Sequence, residues 1–222
     1  MRMKHIVCFG DSNTHGYRAE DGGRFSEEER WPRLLEKELK PDCLILEEGL
    51  SGRTTCFDDP IQEGLSGLDT IYPCLMSHKL VDLLIIMLGT NDTKERFGAS
   101  AACIAQGLKR LIAKAIAAAD CWRDKSPNIL IVVPKNIEKA YETAAVFSTM
   151  GRGCAEKSEG LAEEYKWIAE LMGCHYFDAN TVVKENNQID YMHLTKEGHQ
   201  ALASVFAQLV RKLIGGGKEN EI

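Results

Sequence analysis

The run Val81-Asp82-Leu83-Leu84-Ile85-Ile86-Met87-Leu88 is apolar but for a single charge, and it stops at Gly89-Thr90-Asn91-Asp92. A run of this length suits a strand and falls short of a core helix. A strand apolar on both faces must be covered on both, the usual condition of a parallel sheet between helical layers. The same device recurs along the chain. Residues 5–9 run into Gly10-Asp11-Ser12-Asn13-Thr14-His15-Gly16, and Cys43-Leu44-Ile45-Leu46-Glu47 leads to Gly49-Leu50-Ser51-Gly52-Arg53-Thr54-Thr55. Asn128 to Val133, closed by Pro134, reads as a fourth strand, and His175 to Phe177 as a short fifth.

Helical spacing fills the intervals. Residues 27–39 carry Trp31, Leu34, Leu35 and Leu39, with Pro32 tolerable in a first turn. Residues 69–78 read as a short helix weakened by Pro73, and residues 100–119 and 157–172 as longer ones. A last helix starts at Thr195, a suitable N-cap, and aligns Leu202, Val205, Phe206, Leu209, Val210 and Leu213. Residues 135–155 lack a clean period, which fits a lid, a pocket wall, an oligomer contact or a surface excursion alike. Alternating strands and helices predict an α/β three-layer αβα sandwich on a five-stranded parallel sheet of flavodoxin-like order, its crevice beside the first strand. With no repeat or linker, residues 1–222 read as a single domain, and 215–222 as a frayed tail.

Composition narrows the function. A net charge of −6 with no run of Lys and Arg argues against a nucleic-acid or anionic-membrane surface. No stretch approaches the roughly 20 apolar residues that span a bilayer, and the start shows no signal segment. None of the eight cysteines lies in a CxxC pair, and several sit in apolar runs, as reduced thiols do. These features predict a cytoplasmic protein without membrane or nucleic-acid partners.

The loops after the first three strands share one sheet edge and present Ser12, Gly52 and Asn91. Acyl transfer needs a nucleophile and donors aimed at the developing oxyanion. The backbone N–H groups of Ser12 and Gly52 and the Asn91 amide could supply three donors. A serine needs a base to take its proton, and a carboxylate to orient that base. Asp190-Tyr191-Met192-His193, just before the last helix, offers both within a turn.

These residues resemble the SGNH (GDSL-like) hydrolases. Gly10-Asp11-Ser12, Gly52, Gly89-Thr90-Asn91-Asp92 and Asp190-x-x-His193 match that family's four blocks in order. The resemblance implies Ser12 as nucleophile, His193 as base, Asp190 as its partner, and the Ser12 and Gly52 amides with Asn91 as oxyanion hole. The second and third blocks look closest to an arylesterase/acyltransferase branch. Its members act on esters of short acyl groups, can transfer acetyl to alcohols, and include closed oligomers, so the resemblance implies a homo-oligomer. Asn13 stands where the motif commonly has leucine, and His15 where that branch tends to have tryptophan. His15, Arg53 and Met192 are the substrate-pocket candidates; His15 fits a polar pocket wall equally well, and Arg53 an ion pair. Asp11 is expected to satisfy nearby backbone amides, and His199 to be structural or on the surface.

The expectation is a serine esterase taking a small-molecule ester, with no metal or organic cofactor. Carbohydrate acetylesterase, thioesterase and lysophospholipase-type activities are alternatives on the same residues. A flavodoxin-like phosphate- or flavin-binding module would leave Asn91 and His193 unexplained. A metallophosphatase would lack the further Asp/His/Asn clusters of a two-metal site, and a silent carbohydrate-binding relative would have no need of the filled catalytic positions.

Overall fold

In the computed structural model, which describes residues 2–215, strands and helices alternate as the apolar runs require. The strands are β1 (Lys4–Gly10), β2 (Tyr17–Arg18), β3 (Gly23–Arg24), β4 (Cys43–Gly49), β5 (Leu83–Met87), β6 (Ile129–Val133) and β7 (His175–Asp178). The helices are α1 (Ser12–His15), α2 (Trp31–Leu39), α3 (Gly67–Ser77), α4 (Ala101–Ala117), α5 (Phe147–Met150), α6 (Cys154–Glu159), α7 (Leu161–Met172) and α8 (Lys196–Ile214). Residues 216–222, most of the expected tail, lie outside the described residues.

The main sheet is five-stranded and parallel, in the order β4-β1-β5-β6-β7. This is the flavodoxin-like order expected from the alternation. Successive side chains of a strand point to opposite faces, so each strand feeds two cores. Val7, Phe9, Leu84 and Ile86 pack with Leu108, Leu111 and Tyr165 on the side of α3, α4 and α7. Ile6, Cys8, Leu83 and Ile85 pack with Trp31, Leu35, Leu202 and Phe206 on the side of α2 and α8. In register, Gly10 faces Gly49 on one side and Met87 on the other. The loops after β1, β4 and β5 therefore leave the sheet side by side.

Several elements differ from the sequence expectation. The helix of 27–39 starts only at Trp31, with Pro32 in its first turn. Pro73 sits inside α3 without ending it, because Ile71 and Leu75 are fully buried and hold the helix to the core. The stretch 157–172 is divided at Gly160 into α6 and α7. Residues 135–155 fold into a 3₁₀ turn at Lys139–Thr143 followed by α5, around a small core of Ile137, Tyr141, Met150, Cys154 and Met192. The hairpin β2/β3 was not expected; it is two residues per strand, too short to show a period. Thr195 caps α8 as expected, accepting the Gly198 N–H at 3.1 Å. All eight cysteines are free. Among the described residues no helix is long and apolar enough to cross a membrane.

Candidate active site

At the C-terminal end of β1 the chain turns at once into α1. The Asp11 carboxylate caps the turn by accepting the Asn13 N–H at 2.9 Å, and Gly16, at φ 85°, closes it. Ser12 opens α1, so its own N–H has no acceptor within the helix. Asp11 is buried beneath the serine, and burial pushes its carboxyl up to about 6.

His193 meets Ser12 from the far end of the chain. Asn187 folds the connecting turn, its side-chain amide donating to Asp190 Oδ1 and to the His193 carbonyl at 2.8 Å each. Asp190 Oδ1 also accepts the N–H groups of Met192 and His193 at 3.1 Å. Its other oxygen, Oδ2, lies 2.7 Å from His193 Nδ1, and His193 Nε2 lies 2.8 Å from Ser12 Oγ. Burial alone would raise the Asp190 pKa. The His193 hydrogen bond and charge, with the Asn187 amide, outweigh it and hold the carboxyl at about 2. An ionised carboxylate only accepts, so His193 carries its proton on Nδ1 and offers the Nε2 lone pair to the Ser12 hydroxyl.

Gly52 and Asn91 complete the arrangement. Gly52 has φ 88°, a conformation that side-chain-bearing residues rarely adopt, and its N–H has no acceptor among the described residues. Asn91 is buried, and its amide nitrogen donates to the Arg53 carbonyl at 3.2 Å, which leaves its second N–H free. Asp92 joins the two loops by accepting the Thr55 N–H at 2.8 Å, and burial raises it to about 6. Ser12, Gly52, Asn91, Met192 and His193 all line one cleft of about 320 Å³. A larger hollow, of about 550 Å³, lies at the opposite edge of the sheet beside Lys4, Asp42 and Arg211, away from these groups. The arrangement can strip a proton from a hydroxyl and offer N–H donors to an oxygen that gains charge nearby.

The structure brings Ser12, Gly52, Asn91, Asp190, Met192 and His193 together and leaves out His15 and Arg53. Arg53 is buried beneath the loop, where Nη1 donates to the Gly10 carbonyl at 2.8 Å and to the Glu48 carbonyl. Its guanidinium stacks 4.1 Å over the Phe9 ring. Its Nη1 is shared by two strand-end carbonyls, so Arg53 clasps the ends of β1 and β4 and does not line the cleft. His15 ends α1 outside the cleft, packed against Gly49, with its carbonyl accepting Arg24 Nε at 2.7 Å. His199 is fully buried, Nδ1 accepting the Trp31 N–H at 3.3 Å, as a structural histidine.

Sequence reasoning missed other lining residues. Tyr17 lays its ring 4.5 Å from the His193 imidazole. Val146, Thr149 and Met150 make a wall of the cleft, so the aperiodic segment serves as a pocket wall. Buried Lys94, whose pKa burial lowers, also lines it and reaches Asp59 Oδ2 at 3.3 Å. Ser51, inside the second block, Tyr17, just past Gly16, and Lys94, two residues beyond the third block, lay close enough to a motif to be suspected.

Comparison with known proteins accords with this geometry. Residues 8–201 match the GDSL-like Lipase/Acylhydrolase family. No curated protein matches the sequence. Among solved structures, an aryl esterase of M. smegmatis is 35% identical, with 95% of this chain and 99% of that one covered at a TM-score of 0.86. A carbohydrate acetylesterase family member from Sinorhizobium meliloti is 34% identical, with 96% and 100% covered and a TM-score of 0.87. A lipase/acylhydrolase from Enterococcus faecalis, 17% identical at a TM-score of 0.69, shares the fold. With the family match running over most of its length and the first two of these relatives about a third identical along nearly the whole chain, the chain belongs to the GDSL-like lipase/acylhydrolase family.

Proposed function

We propose that this protein is a serine esterase hydrolysing carboxylic esters of short acyl groups through a covalent acyl-enzyme. The observation that carries the reading is the relay Ser12 Oγ–His193 Nε2 at 2.8 Å and His193 Nδ1–Asp190 Oδ2 at 2.7 Å, opening into a cleft that also presents Gly52 and Asn91. As Ser12 Oγ attacks the ester carbonyl, His193 Nε2 takes the hydroxyl proton, and Asp190 stabilises the imidazolium. The Ser12 and Gly52 N–H groups and the free Asn91 N–H hold the oxyanion. Its collapse breaks the ester C–O bond, and His193 gives its proton to the leaving alcohol. Water then enters, loses a proton to His193 and releases the carboxylic acid, so Ser12 regains its hydrogen. An alcohol in place of water would give acyl transfer. These steps draw on no metal or organic cofactor.

The wall of Val146, Met150 and Met192 supports a short acyl group. Gln62, Thr149 and Lys94 give the same cleft polar lining, which favours an acetylated carbohydrate as the second reading. A flavin- or phosphate-binding role would leave the relay unused. Trp167 and Leu171, one turn apart on α7 and about half exposed, support the homo-oligomer, which sedimentation would check. Free thiols throughout fit the cytoplasm.

Hydrolysis of p-nitrophenyl esters from acetate to octanoate, wild type beside Ser12→Ala with chelator present, tests the proposal. Activity confined to short chains and lost in the variant is expected. Activity that survives in Ser12→Ala would sink the mechanism, and activity on octanoate equal to that on acetate would sink the short-acyl reading.

A further inference from the structure

Away from the cleft, the Glu48 carboxylate, the Cys74 thiol and the His78 imidazole converge, their ligand atoms all within 4.8 Å of one another. The fold explains the meeting. Neighbouring residues of a strand face opposite ways, so Glu47 turns to Arg30 before α2 while Glu48 turns to α3. Cys74 and His78 are four residues apart at the end of α3, which puts them on one side of the helix. β4 is an edge strand and all three residues are partly exposed, so an ion from solvent can reach them.

Two uses that need no ion fit less well. The hydrogen bond of 2.6 Å between His78 Nε2 and Glu48 Oε1 does not require the thiol. Reactive cysteines sit in electropositive surroundings, whereas the Cys74 thiol lies beside the Glu48 carboxylate. Sulfur, imidazole nitrogen and carboxylate oxygen together are a zinc donor set, and sulfur disfavours Mg²⁺ or Ca²⁺. Tetrahedral ligands at zinc bond lengths stand about 3.3–3.6 Å apart, which side-chain rotations can reach from the present spacing.

We propose that Glu48, Cys74 and His78 form a zinc-binding site, with a fourth position left for water. On binding, the cation takes the place of the thiol proton, which passes to solvent. None of the three residues lines the Ser12 cleft, so the site is distinct from the esterase machinery. Bound zinc ties the start of the Gly49–Gly52 loop to α3.

The test is calorimetric titration of the chelator-stripped full chain with zinc chloride, and a parallel titration with Co²⁺ followed by absorption. One zinc per chain is expected, with a thiolate-to-cobalt charge-transfer band that Cys74→Ser abolishes. His78→Ala and Glu48→Gln should each weaken zinc at least about tenfold, since losing even an outer-shell partner costs that much. Both keep all eight cysteines, so the comparison separates this site from the other thiols. If Cys74→Ser does not fold, as thermal unfolding would show, these two variants decide. No binding at micromolar zinc, or equal affinity in wild type, His78→Ala and Glu48→Gln, overturns the proposal.

Discussion

Asn13 stands beside Ser12, and its side chain spans to the other end of the chain. Its Oδ1 accepts the Leu194 N–H at 2.9 Å, and its amide donates to the Met192 carbonyl at 3.3 Å. The two bonds bracket His193, so Asn13 sets the approach of the base to the nucleophile that precedes it. Asn13→Leu keeps the number of side-chain heavy atoms and their branched outline and removes both bonds. Steady-state kinetics should show kcat falling roughly ten- to a hundredfold with KM changed far less, since small misplacements of a base are costly. A kcat within twofold of wild type would reduce Asn13 to packing. For Asn91→Ala the expected loss in kcat is roughly 10²–10³, the usual worth of one oxyanion donor. A loss below tenfold would remove Asn91 from that role.

The placement of α1 on the end of β4 sets the position of the nucleophile. A Cβ on Gly49 would lie 2.2 Å from the His15 nitrogen and 2.6 Å from the Thr14 carbonyl carbon. The backbones of α1 and β4 are therefore in direct contact, and only glycine allows it. Gly49→Ala should destabilise by about 1–3 kcal/mol, as overpacking does, and lower kcat as Ser12 moves with α1. Urea unfolding read beside kcat checks both; a destabilised variant with wild-type kcat would show that Ser12 is held by other contacts. Sequence periodicity could not reach this level for the 139–159 segment. Its short turns bury Tyr141, Met150 and Cys154 against Met192, a residue far along the chain.

Across the whole molecule, buried titratable groups couple stability to pH in opposite senses. His199, on the first turn of α8 against the start of α2, is held neutral by burial, its pKa lowered to about 3. A histidine lowered on folding contributes stability that is full above its unfolded value near 6.5 and is lost as pH falls towards 3. Asp11 and Asp92, raised to about 6 by burial, contribute stability below their unfolded value near 3.8 and lose it as pH rises through 6. Wild type alone therefore mixes the two slopes. His199→Asn keeps an acceptor for the Trp31 N–H and removes only the titration. Between pH 7 and pH 5, wild type should lose about 2 kcal/mol relative to this variant, measured by urea unfolding at both values. Parallel stabilities would show that His199 does not stay neutral in the fold.

By itself the sequence determined the alternation of strands and helices and the parallel sheet, and it named five residues that line the cleft, Ser12, Gly52, Asn91, Met192 and His193, with Asp190 behind His193. Apolar runs have a period, and each run ends at a loop whose small polar residues lie on one sheet edge in any right-handed crossover fold. Only the tertiary structure decided where individual side chains point. Arg53 follows Gly52 by one position, yet its Nη1 turns to the Gly10 and Glu48 carbonyls and it does not line the cleft. Tyr17 and Val146 carry no motif, yet they wall the cleft because loops distant in sequence cross there. Local patterning specifies elements and their ends, while a side chain's partners depend on which unsatisfied groups the folded chain brings near it.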